Sequence, residues 1–503
     1  MSLFRRKPLD VLISESGDQE HGLRKALTWI DLTALGIGAI IGAGIFATLG
    51  SATSGGMGEP PAGPGVSVSI LLTAVACGFC ALCYAEFASL VPVAGSAYTY
   101  SYATLGELVA WIIGWDLIIE YAVGNIAVAI SWAAYFRQLL GGFGLEIPAW
   151  MCTDYRSTML AARAATEGGV GSLSPEYALA YQAHLYHPVL GGIPVVFNLL
   201  AVVITAAITW LLVIGVKESA KFNNVIVVLK LVTLMFFIAV GAFWVKPANW
   251  TPFFPGGFHG VWTGASLIFF AYIGFDAIST AAEECKDPGR DMPRGILGSL
   301  LVCTLLYVAA GLVLTGMIPF GKLVGVADPL AAAFTYAHQD WAAGLLAFGA
   351  VVAMTSVLLV FQLGQPRILM AMSRDGLLAP WFGKIHARYR TPHVTTILTG
   401  IFVAFFSAIA NIDEVVQLTN IGTLFAFVLV CIGILVLRVR EPDRPRKFRV
   451  PLSPVTPILG MGMCVFLMAR LPGLTWIRFG VWLLVGLVLY FTYGRRQSRL
   501  RSV

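Results

Sequence analysis

Leu-Gly-Ile-Gly-Ala-Ile-Ile-Gly-Ala-Gly-Ile-Phe, residues 35–46, is an apolar stretch punctuated by glycines at 36, 38, 42 and 44. It has a counterpart far along the chain in Phe-Phe-Ala-Tyr-Ile-Gly-Phe-Asp, residues 269–276, where Gly274 stands two residues before Asp276. Glycine weakens a helix by about 1 kcal/mol relative to alanine. In a segment immersed in lipid such a break is tolerated only where the freed backbone groups line a cavity or hold a ligand. Taken alone, Gly38-xxx-Gly42 also fits a face where two helices pack closely. The run imitates a dinucleotide fingerprint too, but no strand precedes it and its second gap has three residues, which excludes that reading.

The composition around these stretches sets the class. Hydrophobic residues make up 58% of the 503 and charged residues only 12%, half the share that a soluble surface carries. Apolar runs of roughly 20 residues span a bilayer. They predict an all-α integral membrane protein with about twelve transmembrane helices, at 31–51, 63–90, 105–140, 194–213, 223–243, 264–283, 295–318, 341–370, 395–410, 415–437, 454–468 and 476–493. Residues 1–29 are polar and lack the apolar core of a secretory signal, so they read as a cytosolic N-terminal segment. Of the Lys and Arg residues, 25 fall on the side that holds both termini, seven on the other, and Lys230 lies at mid-membrane. The positive-inside rule then places both termini in the cytoplasm. The net charge of +6 belongs to these loops and gives no reason to expect nucleic acid.

The two glycine-broken segments are the first and the sixth spans. They open two five-span halves, 30–245 and 246–437, followed by a pair of spans at 438–494 and a basic tail at 495–503. Broken helices at matching places in two halves point to a binding site at the bilayer midplane between inverted repeats. The protein is therefore expected to carry a small solute across a membrane.

Ionised side chains at bilayer depth cost at least ~2.5–3.5 kcal/mol on insertion scales, so each needs a partner or a task. Asp116 and Glu120 in the third span are four residues apart and share a helix face; Lys230 lies in the fifth span and Asp276 in the sixth. Lys230 is expected to pair with one of the carboxylates, Glu120 first, and to take up and release a proton. The alternative is a static ion pair. Glu86, at the end of the second span, and the mixed-charge loop from Glu283 to Arg294 read as structural or gating groups near water. Cys77, Cys80 and Cys83 sit in an apolar helix without a second ligand pair and read as small buried residues. His184 and His187 lack further ligands, so no metal is expected. The chain has no HExxH, GxSxG or P-loop, and no repeated filter or ring of charge, which sets aside an enzyme and a channel.

Five stretches together resemble the amino acid–polyamine–organocation superfamily, and within it bacterial members of the cationic amino acid transporter family. They are residues 36–46, 83–87 (Cys-Tyr-Ala-Glu-Phe), 93–102 (Val-Ala-Gly-Ser-Ala-Tyr-Thr-Tyr-Ser-Tyr), 269–284 and 367–380, in family order, with similarity from residue 23 to 493. The resemblance implies a five-plus-five inverted repeat with helices one and six unwound, plus two extra helices, in a bacterial cell membrane. It implies that the amides of Ala43, Gly44 and Ile45 receive a substrate carboxylate and that carbonyls at Ile40, Phe270 and Ile273 receive its ammonium. Phe270 matches an aromatic gate. Lys230 matches a lysine that occupies a coupling-sodium site, near the hydroxyls of Thr355 or Ser356, so protons are expected in place of sodium. Alanine at position 43 replaces the serine or threonine of many members, and the 141–192 loop is longer than expected.

The expected activity is proton-coupled, sodium-independent import of amino acids, with Lys230, Glu120 and Asp276 carrying the coupling. Obligate exchange of arginine and lysine is the alternative. The expected partners are an amino acid, a proton and the lipid bilayer, with no cofactor, and nothing in the sequence specifies an accessory membrane subunit.

Overall fold

The computed structural model describes residues 5–7, 27–55, 59–90, 96–173, 175–215, 220–389 and 391–499. Most of the expected segment 1–29, residues 93–95 of the motif at 93–102, the side chains of Glu283 and Glu284, and residues 500–503 of the tail lie outside the described residues.

The first apolar segment is two helices, α1 (Trp29–Ile40) and α2 (Leu49–Ser54), joined through a π-turn at Gly44–Thr48. Then come α3 (Val66–Leu90), α4 (Ser96–Thr104) and α5 (Glu107–Ile118), the last running through a second π-turn, Ile119–Val123, into α6 (Gly124–Gly142). Two helices follow in the long loop, α7 (Tyr155–Gly168) and α8 (Pro175–Leu185), before α9 (Leu199–Ile214) and α10 (Ala220–Gly241). The sixth segment starts as α11 (Gly257–Ile268) and continues as tight 3₁₀ turns. The remainder is α12 (Pro288–Met317), α13 (Pro329–Tyr336), α14 (Asp340–Arg374), α15 (His393–Ile409), α16 (Ile412–Arg440), α17 (Val455–Ala469) and α18 (Gly473–Leu489).

Among the described residues nine of these helical segments are long and apolar enough to cross a membrane; α9, α15 and α17 are apolar but shorter. Several show apolar side chains on their outer faces as well, such as Leu301 and Leu305 on α12 and Ile397, Ile401 and Phe405 on α15. A helix apolar on all sides is at home in lipid. The sixth segment starts at Gly257, seven residues before the expected 264, because Gly256 and Gly260 let its first turns lie directly on the backbone of Pro61.

Two groups of helices carry most of the packing. In one, α12 lies along α1 and α3, with α11 on α3; in the other, α14 lies along α6 and α9 along α15. The α10 helix touches α1, α12 and α14, and α16 touches α3, α5 and α6. Both therefore stand between the groups.

The loop at 141–192 is an ordered layer. Asp154 caps α7 through Ser157, accepting from its amide at 2.7 Å and its hydroxyl at 2.6 Å. Asn411 donates to Ser157 at 3.0 Å, Arg137 meets Glu176 at 3.0 Å, and Glu414 takes both Arg156 and Arg478 at 3.2 and 3.0 Å. Near the opposite end of α3, Glu86 is fully buried, where a site near water was expected. It pairs with Arg438 and Arg446 and accepts the Val450 amide at 2.6 Å. A carboxylate stripped of water needs such partners.

Burial pushes Asp154 up to about 6 and Asp328, at the start of α13, up to about 7, where the charge of Glu176 adds to the effect. Both folded values lie above the ordinary carboxylate value near 3.8. The docked layer thus binds protons at these two groups more tightly than the released one, and their contribution to its stability is full below about pH 4 and lost as pH rises to about 7. Hydrogen exchange across residues 155–185, corrected for intrinsic rates, is expected to show at least tenfold greater protection at pH 5 than at pH 8. Asp154→Asn should flatten much of that dependence. Equal or greater protection at pH 8 would contradict the account.

Candidate functional site

The glycines of the first segment act where the helix changes direction. After Ile40 the chain leaves helical geometry at Ile41 (ψ 103°), and Gly44 starts the π-turn. In the sixth segment Ile273 is extended (ψ 136°) and Gly274 takes φ +114°, a conformation that L side chains rarely adopt. The two breaks lie against each other. A Cβ on Gly44 would stand 3.0 Å from the Ala271 amide nitrogen, and one on Gly274 would stand 2.9 Å from the Ala39 carbonyl oxygen.

This contact brings Ile40, Ala43, Gly44 and Ile45 to Phe270 and Ile273, all buried. A helix start leaves its first N–H groups without intrahelical acceptors and carries partial positive charge. The amides at 43–45 open the second half of the first segment and have that character. The carbonyls expected to face an ammonium already have one neighbour each in two cases. Ile40 accepts from the Tyr307 hydroxyl at 3.0 Å, and Phe270 accepts from the Ile273 amide at 3.4 Å. Each carbonyl oxygen retains a second lone pair for a ligand.

Other side chains finish the broken ends, and these were not identified from sequence. Tyr135 donates to the Phe46 carbonyl at 2.7 Å, and Asn420 donates to Ser266 at 2.7 Å and Leu267 at 3.2 Å. Tyrosine and asparagine inside apolar spans were the available signal.

Lys230 is buried and donates to the Gly38 carbonyl at 2.6 Å. Among the described residues no ion pair involves it, so the expected partnership with Glu120 is not the one formed here. The reason is geometric: α10 packs on α1, and the ammonium meets the exposed carbonyls of its last turn. That end of a half-helix carries partial negative charge. Thr355 and Ser356 lie on α14, which packs against α10. Their hydroxyls bond back to Val351 and Ala353 at 2.7 and 3.0 Å, and Thr355 also accepts from Trp132 at 2.9 Å.

Glu120 lies within the π-turn of the third segment and faces Asp276 and Thr423. Among the described residues neither oxygen of Asp276 finds a hydrogen bond of standard geometry, and the same holds for Asp116. The two breaks thus bring backbone amides and carbonyls together, with one buried ammonium and a separate group of buried carboxyls nearby.

The model of the family described as amino acid permease matches residues 27–491. The branched-chain amino acid permease BcaP of Bacillus subtilis is 46% identical over 501 residues, covering 100% of this chain and 99% of that protein. The methylthioribose transporter of the same organism is 44% identical over 501 residues, covering 100% of both chains. The vacuolar cationic amino acid transporter 4 of Arabidopsis thaliana is 34% identical over 458 residues, covering 90% of this chain and 69% of that protein.

Gly44→Ala and Gly274→Ala are each expected to lower the thermal unfolding midpoint of the purified protein by several degrees. The second adds a backbone strain of roughly 1–2 kcal/mol to the contact. Gly462→Ala, where nothing lies within 4 Å, should cause no loss. Midpoints unchanged in all three would show that the breaks do not depend on close approach.

Proposed function

This chain belongs to the amino acid permease family, and on that premise we propose that it imports neutral amino acids of branched-chain size together with protons and without sodium. The observation that carries this reading is the mutual contact of two broken helices at Gly44–Ala271 and Gly274–Ala39. That contact gathers amides and carbonyls at one place within the apolar bundle. An α-amino acid carries a carboxylate for the amides of Ala43, Gly44 and Ile45, and an ammonium for the carbonyls of Ile40, Phe270 and Ile273. The backbone then reads the head group, and Phe270 closes over the bound substrate. Near-full-length identity to a branched-chain permease supports an apolar side chain. Methylthioribose lacks an α-amino acid head group, so backbone recognition of this kind favours the amino acid.

The full architecture proposed is twelve crossings of a bacterial cell membrane, in two inverted five-helix halves and a final pair, with both termini cytoplasmic. The α1/α3/α11/α12 group would rock against the α6/α9/α14/α15 group to expose the site to each side in turn. Lys230 suits coupling because it holds the last turn of α1 from outside. Protonated, its ammonium secures the negative end of the half-helix; neutral, that attraction weakens and the break can rearrange. Glu120 and Asp276 form the acidic counterpart on the other side of the site.

The test is uptake into liposomes of isoleucine, alanine, arginine and methylthioribose, in sodium-free buffer with and without an inward proton gradient. Isoleucine accumulation should rise at least tenfold with the gradient, and Lys230→Ala should abolish that rise. Arginine uptake confined to preloaded liposomes and indifferent to pH would make the protein an exchanger. Uptake of methylthioribose alone would refute amino acid transport.

A further inference from the structure

We propose that Asp116 is a second proton-exchange carboxyl, passing protons between the Glu120–Asp276 pair and the cytoplasm. This deepens the reading above and rests on both its proton symport and its cytoplasmic termini. Asp116 is 1% exposed, and among the described residues neither of its oxygens has a hydrogen-bond partner. A carboxyl offers about four acceptor positions, and leaving them unfilled in a packed interior is unfavourable. An apolar residue would fill the space without that penalty. The group therefore has a task other than packing.

Its position suits the task. The α5 helix begins at Glu107, which accepts from Tyr490 at 3.0 Å and Ser498 at 2.5 Å, near the C-terminal end of the chain. At 1.5 Å per residue Asp116 lies about 14 Å from that end and Glu120 about 20 Å. Asp116 thus stands between the carboxyl pair and the proposed cytoplasmic side. The π-turn at Ile119–Val123 begins between Asp116 and Glu120, and such turns loosen the regular backbone pattern at functional places. Two buried hydroxyls on the same side of Asp276, Ser279 and Tyr100, are neighbours and also lack standard hydrogen bonds. They extend the polar seam.

Among the described residues no cation pairs with this cluster. The titratable groups facing the cluster are Glu120 and Tyr121 on the adjoining turn, Asp276 from the sixth segment, Cys77 and Tyr84 from α3, and Tyr98 and Tyr100 from α4. Tyr98 is engaged by Asp375 at 2.7 Å. From α16 come Gly422, where a Cβ would stand 2.9 Å from Asp116 Oδ1, and the non-titrating Thr423. From α14 comes Met372, against Gly114. Among the described residues no ion pair involves any of the three carboxyls. Three negative charges without a cation are too unfavourable to coexist there, so protons must reside in the cluster. In the transfer step an O–H bond on the Glu120–Asp276 pair breaks and one forms on Asp116, leaving the cluster's charge unchanged. Release to cytoplasmic water then lowers the charge by one.

The experiment compares wild type, Asp116→Asn and Asp116→Glu in liposomes holding a pH-sensitive dye, with isoleucine as the probe. Two rates are measured: isoleucine-driven proton flux, and isoleucine counterflow across a range of pH on the cytoplasmic face. Asp116→Asn should lower the ratio of proton flux to counterflow at least tenfold and flatten the pH profile. Asp116→Glu should restore the ratio to within about threefold and shift the profile. An unchanged ratio in the Asn variant overturns the proposal, as does a parallel fall of both rates with an unaltered profile. If the Asn variant does not assemble, an unshifted profile in the Glu variant overturns it. No isoleucine-driven proton flux in wild type overturns the symport reading itself, and this proposal with it.

Discussion

A backbone that leaves helical geometry inside hydrocarbon must find new partners for its N–H and C=O groups, and the rest of this structure follows from how that requirement is met. Gly44 and Gly274 allow two broken helices to touch backbone to backbone, close enough that a methyl group on either would collide. Tyr307, Tyr135, Asn420 and Lys230 each reach a carbonyl close to a break. The amides and carbonyls proposed to hold a ligand lie beside these supports, walled by apolar side chains. Such a site suits a zwitterion, whose two charges need opposite dipoles a few ångströms apart.

The supports around the breaks are of unequal kind. Ser51 donates to Asp413 at 2.6 Å and ties the second half of the first segment to α16. The 141–192 layer is held by ion pairs to Glu176 and Glu414 whose side chains are partly exposed. Exposed pairs contribute little, typically under about 1 kcal/mol. At the other end Glu86 and Arg446 are both almost wholly buried, and separating such a pair is unfavourable by roughly 3–5 kcal/mol. The layer at 155–185 is thus held by weaker contacts than the Glu86 cluster.

Much of this could be read from the chain. Glycines 42, 44 and 274 marked both breaks because few residues other than glycine allow that backbone or that closeness. The apolar runs marked the helices to within a few residues for α3, α15 and α17, where composition changes sharply at the ends. The membership of the family, too, was legible from motifs spread over the chain. The rest depended on neighbours distant in sequence. In sequence a buried cation such as Lys230 suggests an anion, whereas a half-helix terminus 192 residues away provides the negative end. Glu86 reads as a group near water in sequence, because its arginines lie some 350 residues on. The helices of the 141–192 loop have the polar composition of a loop, and they are ordered by the Asp154 cap and by partners distant in sequence on α6 and at the start of α16.

The central claim is that backbone groups at the two breaks recognise the head group of an amino acid. Competition for isoleucine uptake in liposomes tests this directly, using L-leucine, its methyl ester, N-acetyl-L-leucine and isoamylamine, which share one side chain and differ at the head group. The account predicts inhibition by L-leucine alone, with the other three weaker by at least tenfold. Inhibition by isoamylamine or the acetyl derivative equal to that by leucine would contradict it, and would move recognition from the broken backbone to the side-chain pocket.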